Sequence, residues 1–177
     1  KDNPNGSRPG AGGQFFIYRT SLMRYQRLPW GMTYSFRGQM QLTNQTLPPS
    51  EQLQLGGAFA VRGYPQGGYL ADYGAYMTHE VFVPTYFFPK NWALPRAKQP
   101  LREQVQAVGF YDLGGGKIRK DNPGERDSRT LSGAGGGVRI RMFDKVYSRV
   151  QWAAPLASEP ADGSHSAFYY TVSAEFF

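Results

Sequence analysis

Cysteine is absent from all 177 residues. That one gap excludes a disulfide framework, a thiolate metal site and a cysteine nucleophile, and it leaves the compartment open, because oxidising compartments tolerate cysteine-free chains. Histidine is scarce. His79 and His165 have no companions at ligand spacing, so no metal is expected. No run approaches the roughly 18 apolar residues of a membrane helix, and a mean hydropathy of -0.53 rules out a chain built of apolar helices. Acids are outnumbered, 13 against 20 Lys and Arg, for a formal charge of +7. Such an excess admits nucleic acid, an anionic membrane surface or a water-filled lumen lined with arginine, and only the placement of the charges decides. There is no G-x-S-x-G elbow, "GGGK" at 114–117 lacks the P-loop spacing, and "GAGGG" at 133–137 is no dinucleotide fingerprint. No cofactor and no enzymatic activity are expected. The chain opens on Lys1 without a signal-like segment, which points to a mature fragment.

What is abundant points to β structure. Twelve Tyr, twelve Phe and three Trp accompany 22 Gly and 13 Pro, a composition at once aromatic, glycine-rich and polar. Residues 32–43, MTYSFRGQMQLT, put Met32, Tyr34, Phe36, Met40 and Leu42 on one parity and Thr33, Ser35, Arg37, Gln39, Gln41 and Thr43 on the other. Period-two alternation over that length suits a tilted strand crossing a bilayer, which needs roughly 9 to 11 residues. The pattern recurs. Val138, Ile140 and Met142 alternate with Arg139 and Arg141, and Val146, Val150, Trp152 and Ala154 lie opposite Tyr147, Arg149 and Gln151. Along 101–114, Gln104, Gln106, Phe110 and Asp112 share one side. With Arg37, Arg139, Arg141 and Arg149 on the wet parity, the basic excess reads as lumen lining, and nucleic acid is not an expected partner.

The alternation gives about eight strands, at 13–27, 31–44, 53–61, 73–86, 101–114, 131–143, 145–156 and 167–177. The first alternates poorly, since Arg19 and Arg24 fall on opposite parities. "FDK" at 143–145 is a short turn, whereas "KIRKDNPGERDSRT" and "ASEPADGSHSA" are long and polar. Outer-membrane barrels combine short periplasmic turns with longer outer loops, which leaves the C-terminus periplasmic. The long "FPKNWALPRAKQP" then falls, against expectation, on the periplasmic side. Trp30, Trp92 and Trp152, near strand ends, suit interfacial girdles.

Two motifs reach a family. "LPPSEQLQLGGAFAVRGY", Leu47 to Tyr64, resembles the inward-folded loop of the two-partner secretion outer-membrane transporters, the TpsB family, with its S-E-Q, G-G and V-R-G-[FY] signatures. "FYDLG", Phe110 to Gly114, is similar to the F-x-D-x-G strand motif of the same superfamily, and "GAGGGVRIR" and "VQWAAPL" resemble its final strands. The resemblance covers most of the chain from about residue 30. It implies that Arg62, flanked by Val61, Gly63 and Tyr64, lies inside a barrel and pairs with Asp112. The parity of Asp112 agrees, and Glu80, on the parity of Tyr76 and Thr78, is a plausible second acceptor. Other acids and bases in the motif have no assigned role.

The resemblance also implies a sixteen-stranded barrel preceded by a plug helix and two POTRA domains, with residues 1–177 forming its C-terminal part. An eight-stranded barrel has room only for its own side chains, not for a loop carrying Arg62 and Tyr64, so the missing strands are expected in another segment or chain. The implied function is secretion of a large exoprotein, such as a haemolysin, adhesin or toxin, through the outer membrane without ATP. The implied partners are that exoprotein, outer-membrane lipids and the barrel-assembly machinery, which would read the terminal aromatics Phe176 and Phe177. An insertase of the same superfamily is the alternative, although the S-E-Q-L-x-L-G-G run favours secretion. A lipid-acting barrel hydrolase lacks a nucleophile and base, and a soluble β-sandwich binding module would be soluble without detergent.

Overall fold

The computed structural model describes residues 8, 11, 14–93, 100–119, 128–142 and 146–174. Seven long strands form one antiparallel sheet: β1 (Ile17–Arg27), β2 (Thr33–Thr43), β5 (Tyr73–Pro84), β6 (Val105–Lys117), β7 (Ser128–Met142), β8 (Val146–Pro155) and β9 (Ala167–Ala174). They are hydrogen-bonded in that order, so each long strand pairs with the next, and β1 and β9 are the two edges. Two short strands, β3 (Leu53–Gln54) and β4 (Leu70–Ala71), pair only with each other inside the loop that joins β2 to β5. Among the described residues no helix is long and apolar enough to cross a membrane.

The period-two pattern translates directly into two faces. One exposes Leu22, Leu42, Met77, Tyr111, Val138, Val150, Trp152, Phe168, Tyr170 and Val172. Exposed in water, a patch of this extent would be an association liability; facing lipid it needs no partner. On this face His79 bonds its Nδ1 to the Tyr34 hydroxyl at 2.7 Å and sits 5.2 Å from the Phe36 ring. A satisfied imidazole among aromatics is a packing residue. The other face carries Arg37, Gln41, Thr78, Glu80, Asp112, Arg139, Arg149 and Gln151, and the β2–β5 loop folds back onto it.

Three sequence expectations change. Residues 53–61 are not a strand of the sheet. The amide of Val61 donates to Leu55 O (2.9 Å), that of Gly57 to Val61 O (3.2 Å) and that of Ala60 to Gly57 O (3.2 Å), so the chain curls, and Gly57 takes a φ of 115°. Its apolar residues mimic a strand because Leu53, Leu55 and Val61 bury into a core with Tyr64, Tyr69, Ala71 and Leu131. Removing this strand places both ends of the loop at the same end of the sheet. Residues 101–104 form a helical turn, α1 (Leu101–Gln104), and not the start of a strand. Pro100 cannot donate to a ladder, and its carbonyl accepts the Glu103 and Gln104 amides at 2.9 and 3.2 Å. The first strand begins at Ile17, four residues later than its alternation suggested. The 143–145 turn, Phe176 and Phe177 lie outside the described residues.

Trp30 and Gly31 form the tip of the β1–β2 hairpin with φ of 56° and 67°. Two consecutive left-handed residues match the twist of the flanking strands, and the Leu28 amide closes the turn on Met32 O at 2.9 Å. Trp30 is left exposed there. At the same end of the sheet, Phe88 stacks on Trp92 with centroids 6.4 Å apart.

Candidate functional site

The register of β5 and β6 builds the acceptor side of the site. Thr78 stands opposite Asp112, and Glu80 stands opposite Phe110; because side chains alternate, Glu80, Phe110 and Asp112 all project toward the folded-back loop. Asp112 is wholly buried, and Arg62 is 2% exposed. The Arg62 guanidinium engages Asp112 as a fork, Nε to Oδ2 and Nη2 to Oδ1, both at 2.7 Å. The Arg62 backbone amide adds a third bond to Oδ2 at 3.0 Å. Its remaining nitrogen, Nη1, donates to Glu80 Oε1 at 2.6 Å. The guanidinium carbon lies 3.5 Å from the centre of the Phe110 ring, so a cation–π contact covers its face.

Burial penalises the Arg62 charge, but the hydrogen bonds and negative charges of Asp112 and Glu80 outweigh that penalty and hold its pKa above the ordinary arginine value. A buried ion pair is worth keeping only when its geometry is good and its other donors are met. Here all three side-chain nitrogens have carboxylate partners. Arg149 of β8 reaches the same Glu80 at 3.3 and 3.5 Å, so one carboxylate links the loop to a strand three places along the sheet.

The residues around Arg62 fix the loop tip against the wall. Gly63 has a φ of 94°, and a Cβ there would stand 2.8 Å from the Ala154 carbonyl carbon; a side chain is excluded by both conformation and space. The Gly63 amide donates to the Tyr169 hydroxyl at 3.0 Å. Tyr64 is buried, its hydroxyl donates to Ser132 O at 3.0 Å, and its ring meets Tyr69 edge-on at 5.8 Å. Val61 is buried against Gly114, where a Cβ would stand 2.8 Å from Val61 Cγ2. On β7, a Cβ at Gly133 would collide with the Arg62 carbonyl oxygen. Gly133 thus leaves a recess for the loop, and Gly135 leaves room for the Phe110 ring that lies under Arg62.

Sequence reasoning passed over a second anchor, at the loop base. Asp72 is fully buried, and its Oδ1 accepts Arg8 Nη1 (2.9 Å), the Leu47 amide (3.1 Å) and Gln52 Nε2 (3.0 Å), while its Oδ2 accepts the Arg119 amide (2.7 Å). The available signal was an aspartate directly preceding β5, but its partners are spread over more than a hundred residues. Arg19 and Glu51 add a more exposed bridge of 2.9 Å beside it. Of the lumen arginines, Arg37 donates to Phe59 O at 3.3 Å and Arg139 to Gln106 Oε1, while Arg139 lies 4.1 Å over Phe82. Arg141 is in register with Tyr147 on the same side. Among the described residues no group of three or more His, Asp or Glu side chains is placed to hold a metal ion.

Comparison with known proteins places this architecture. The heme/hemopexin transporter protein HuxB of Haemophilus influenzae is 26% identical over 162 residues, which are 89% of this chain and 26% of HuxB. The chain therefore spans about a quarter of the length of that relative. CdiB from Escherichia coli shares the fold with a TM-score of 0.69 at 21% identity, over 98% of this chain and 30% of CdiB. CdiB from Acinetobacter baumannii gives 0.59 at 20% identity, over 90% of this chain and 26% of its own. The profile of the family described as haemolysin secretion/activation protein ShlB/FhaC/HecB matches residues 2–140. That match runs through the folded-back loop and the strands that receive it, and the chain belongs to this family of two-partner secretion outer-membrane β-barrels.

Proposed function

We propose that residues 1–177 form the C-terminal part of a pore that secretes a large exoprotein, of the haemolysin, adhesin or toxin kind, across the outer membrane without ATP. The observation that carries this reading is the loop fixed on the polar face by Arg62, Asp112 and Glu80. A wall needs no such insert; a conduit that must be both closed and opened does. Arg62, Asp112 and Glu80 act as the tether, and Val61, Gly63 and Tyr64 seat the tip. Phe110 and Gly114 shape its socket.

The two edges β1 and β9 support a larger barrel. Unpaired edge groups in hydrocarbon cost several kcal/mol each, so further strands from the same or another chain complete the wall. Arg37, Arg139, Arg141 and Arg149 keep the passage hydrated, which disfavours arrest of apolar segments of the cargo. Folding of the exoprotein outside supplies direction. Lipids contact the apolar face, and the barrel-assembly machinery recognises the aromatic pair Phe176 and Phe177. That the Haemophilus influenzae relative is a heme/hemopexin transporter protein accords with this cargo-moving role.

The test is deletion of the complete gene in its own host, with the exoprotein measured in the culture supernatant. Loss of one large exoprotein, with other barrel proteins at normal levels, supports secretion. A normal supernatant with a general fall in outer-membrane barrels would replace it with the insertase reading.

A further inference from the structure

Two like charges face each other on the polar side of the sheet: Arg139 of β7 is in direct register with Arg149 of β8. Like charges directly opposed in an antiparallel pair are destabilising. These two nonetheless converge, since their guanidinium carbons lie 4.1 and 5.4 Å from the centre of the same Phe82 ring. Their acceptors neutralise them only in part, since Arg149 shares its one carboxylate partner with Arg62. Arg139 bonds the neutral Gln106 amide, and Arg149 reaches Glu80 only at 3.3 and 3.5 Å, a carboxylate already engaged by Arg62 at 2.6 Å.

Two further donors meet at the same place without partners. Arg37 has a buried Nε with none, and Gln151, 4% exposed, has an amide NH2 with none. Arg37, Arg139, Arg149 and Gln151 line one cavity of about 260 Å³ between the loop and the wall, together with Tyr147 and Thr171. Arg62 also borders it. Four guanidinium groups thus meet there against two carboxylates, Asp112 and Glu80, both spoken for. A buried donor without an acceptor is costly, and both unpartnered groups are donors. An occupant that repairs the site must be an acceptor, and one that relieves the Arg139–Arg149 repulsion must be negative.

We infer that this cavity binds a small oxyanion of the phosphate or carboxylate class, held between Arg37, Arg139 and Arg149 and receiving the Gln151 amide. The site opens on the polar side, away from the face of Val150 and Trp152, so its ligand arrives from water and not as a lipid headgroup. Binding at this point ties β2, β7 and β8 together next to the tether, and it is independent of whether the complete protein secretes an exoprotein.

The complete gene product, purified in neutral detergent without phosphate, is melted against increasing inorganic phosphate, against sodium chloride at matched ionic strength, and against short-chain phosphatidic acid. The expected result is a saturable rise in melting temperature with inorganic phosphate and none with chloride. Arg139→Gln and Gln151→Leu should each raise the half-saturating phosphate concentration roughly tenfold or more, the loss of one charge-assisted bond. Without phosphate, Arg139→Gln should melt no lower than the parent, because it removes a repulsion. An equal response to chloride, no saturable response, or the parent's response in both variants overturns the site. Saturation by phosphatidic acid but not by inorganic phosphate overturns its assignment to the polar side.

Discussion

Asp112→Asn is nearly isosteric and isolates the charge of the tether. Asp112 accepts three bonds from Arg62, two at 2.7 Å from the guanidinium and one at 3.0 Å from the backbone amide. Asparagine keeps one acceptor oxygen and sets an NH2 against the remaining guanidinium nitrogen, so at least one bond becomes a donor–donor contact. Breaking a buried pair costs about 3 to 5 kcal/mol. Glu80 still holds Nη1 at 2.6 Å, which puts this substitution at the lower end, about 3 kcal/mol, or roughly a hundredfold in the population of the released loop. Val61 is completely buried when the loop is seated, and the chain has no cysteine of its own. Labelling of Val61→Cys by a water-soluble maleimide therefore reports release, provided other thiols of the complete product are removed. The expected labelling rate rises roughly a hundredfold when Asp112→Asn is added. A rate within twofold of the parent would show that the fork does not hold the loop.

Further substitutions probe the two faces and the recess. Arg139→Glu with Arg141→Glu should shift the ion selectivity of the pore in planar bilayers, because charges on the wet face act on permeating ions. Ile140→Glu, one residue away but facing lipid, should instead reduce the folded fraction in outer membranes, since a charge there is costly; normal insertion with altered selectivity would invert the faces. Gly133→Val should unseat the loop by driving a side chain into the Arg62 carbonyl, raising maleimide labelling of Val61→Cys with the barrel still heat-modifiable on gels. Unchanged labelling would mean that the recess is not needed.

Legibility followed periodicity. The strands around Arg37, Asp112, Arg139 and Arg149 could be read because lipid and water impose opposite demands on adjacent residues, so parity alone sorts the faces. The family resemblance carried by the two motifs implied the pairing of Arg62 with Asp112, and parity agreed with it and added Glu80. Residues 53–61 misled because a loop folded into a barrel buries apolar residues much as a strand does; only the local turns closed by Gly57 and Val61 distinguish them. The Phe110 ring under the guanidinium, the Tyr169 hydroxyl on Gly63 and the Asp72 anchor depend on register and on contacts across 20 to 106 positions. No local pattern encodes such contacts.

The most direct measurement of the tether's role is exoprotein in the supernatant of cells producing Arg62→Ala, Asp112→Ala and the double variant at equal levels of folded barrel. Each single change leaves a buried charge without its main partner, whereas the double change removes both. The expected result is strong loss of secretion in both single variants and a double variant less impaired than the sum of the two. Full secretion by both single variants at the parent's barrel level would contradict a working role for the Arg62–Asp112 pair.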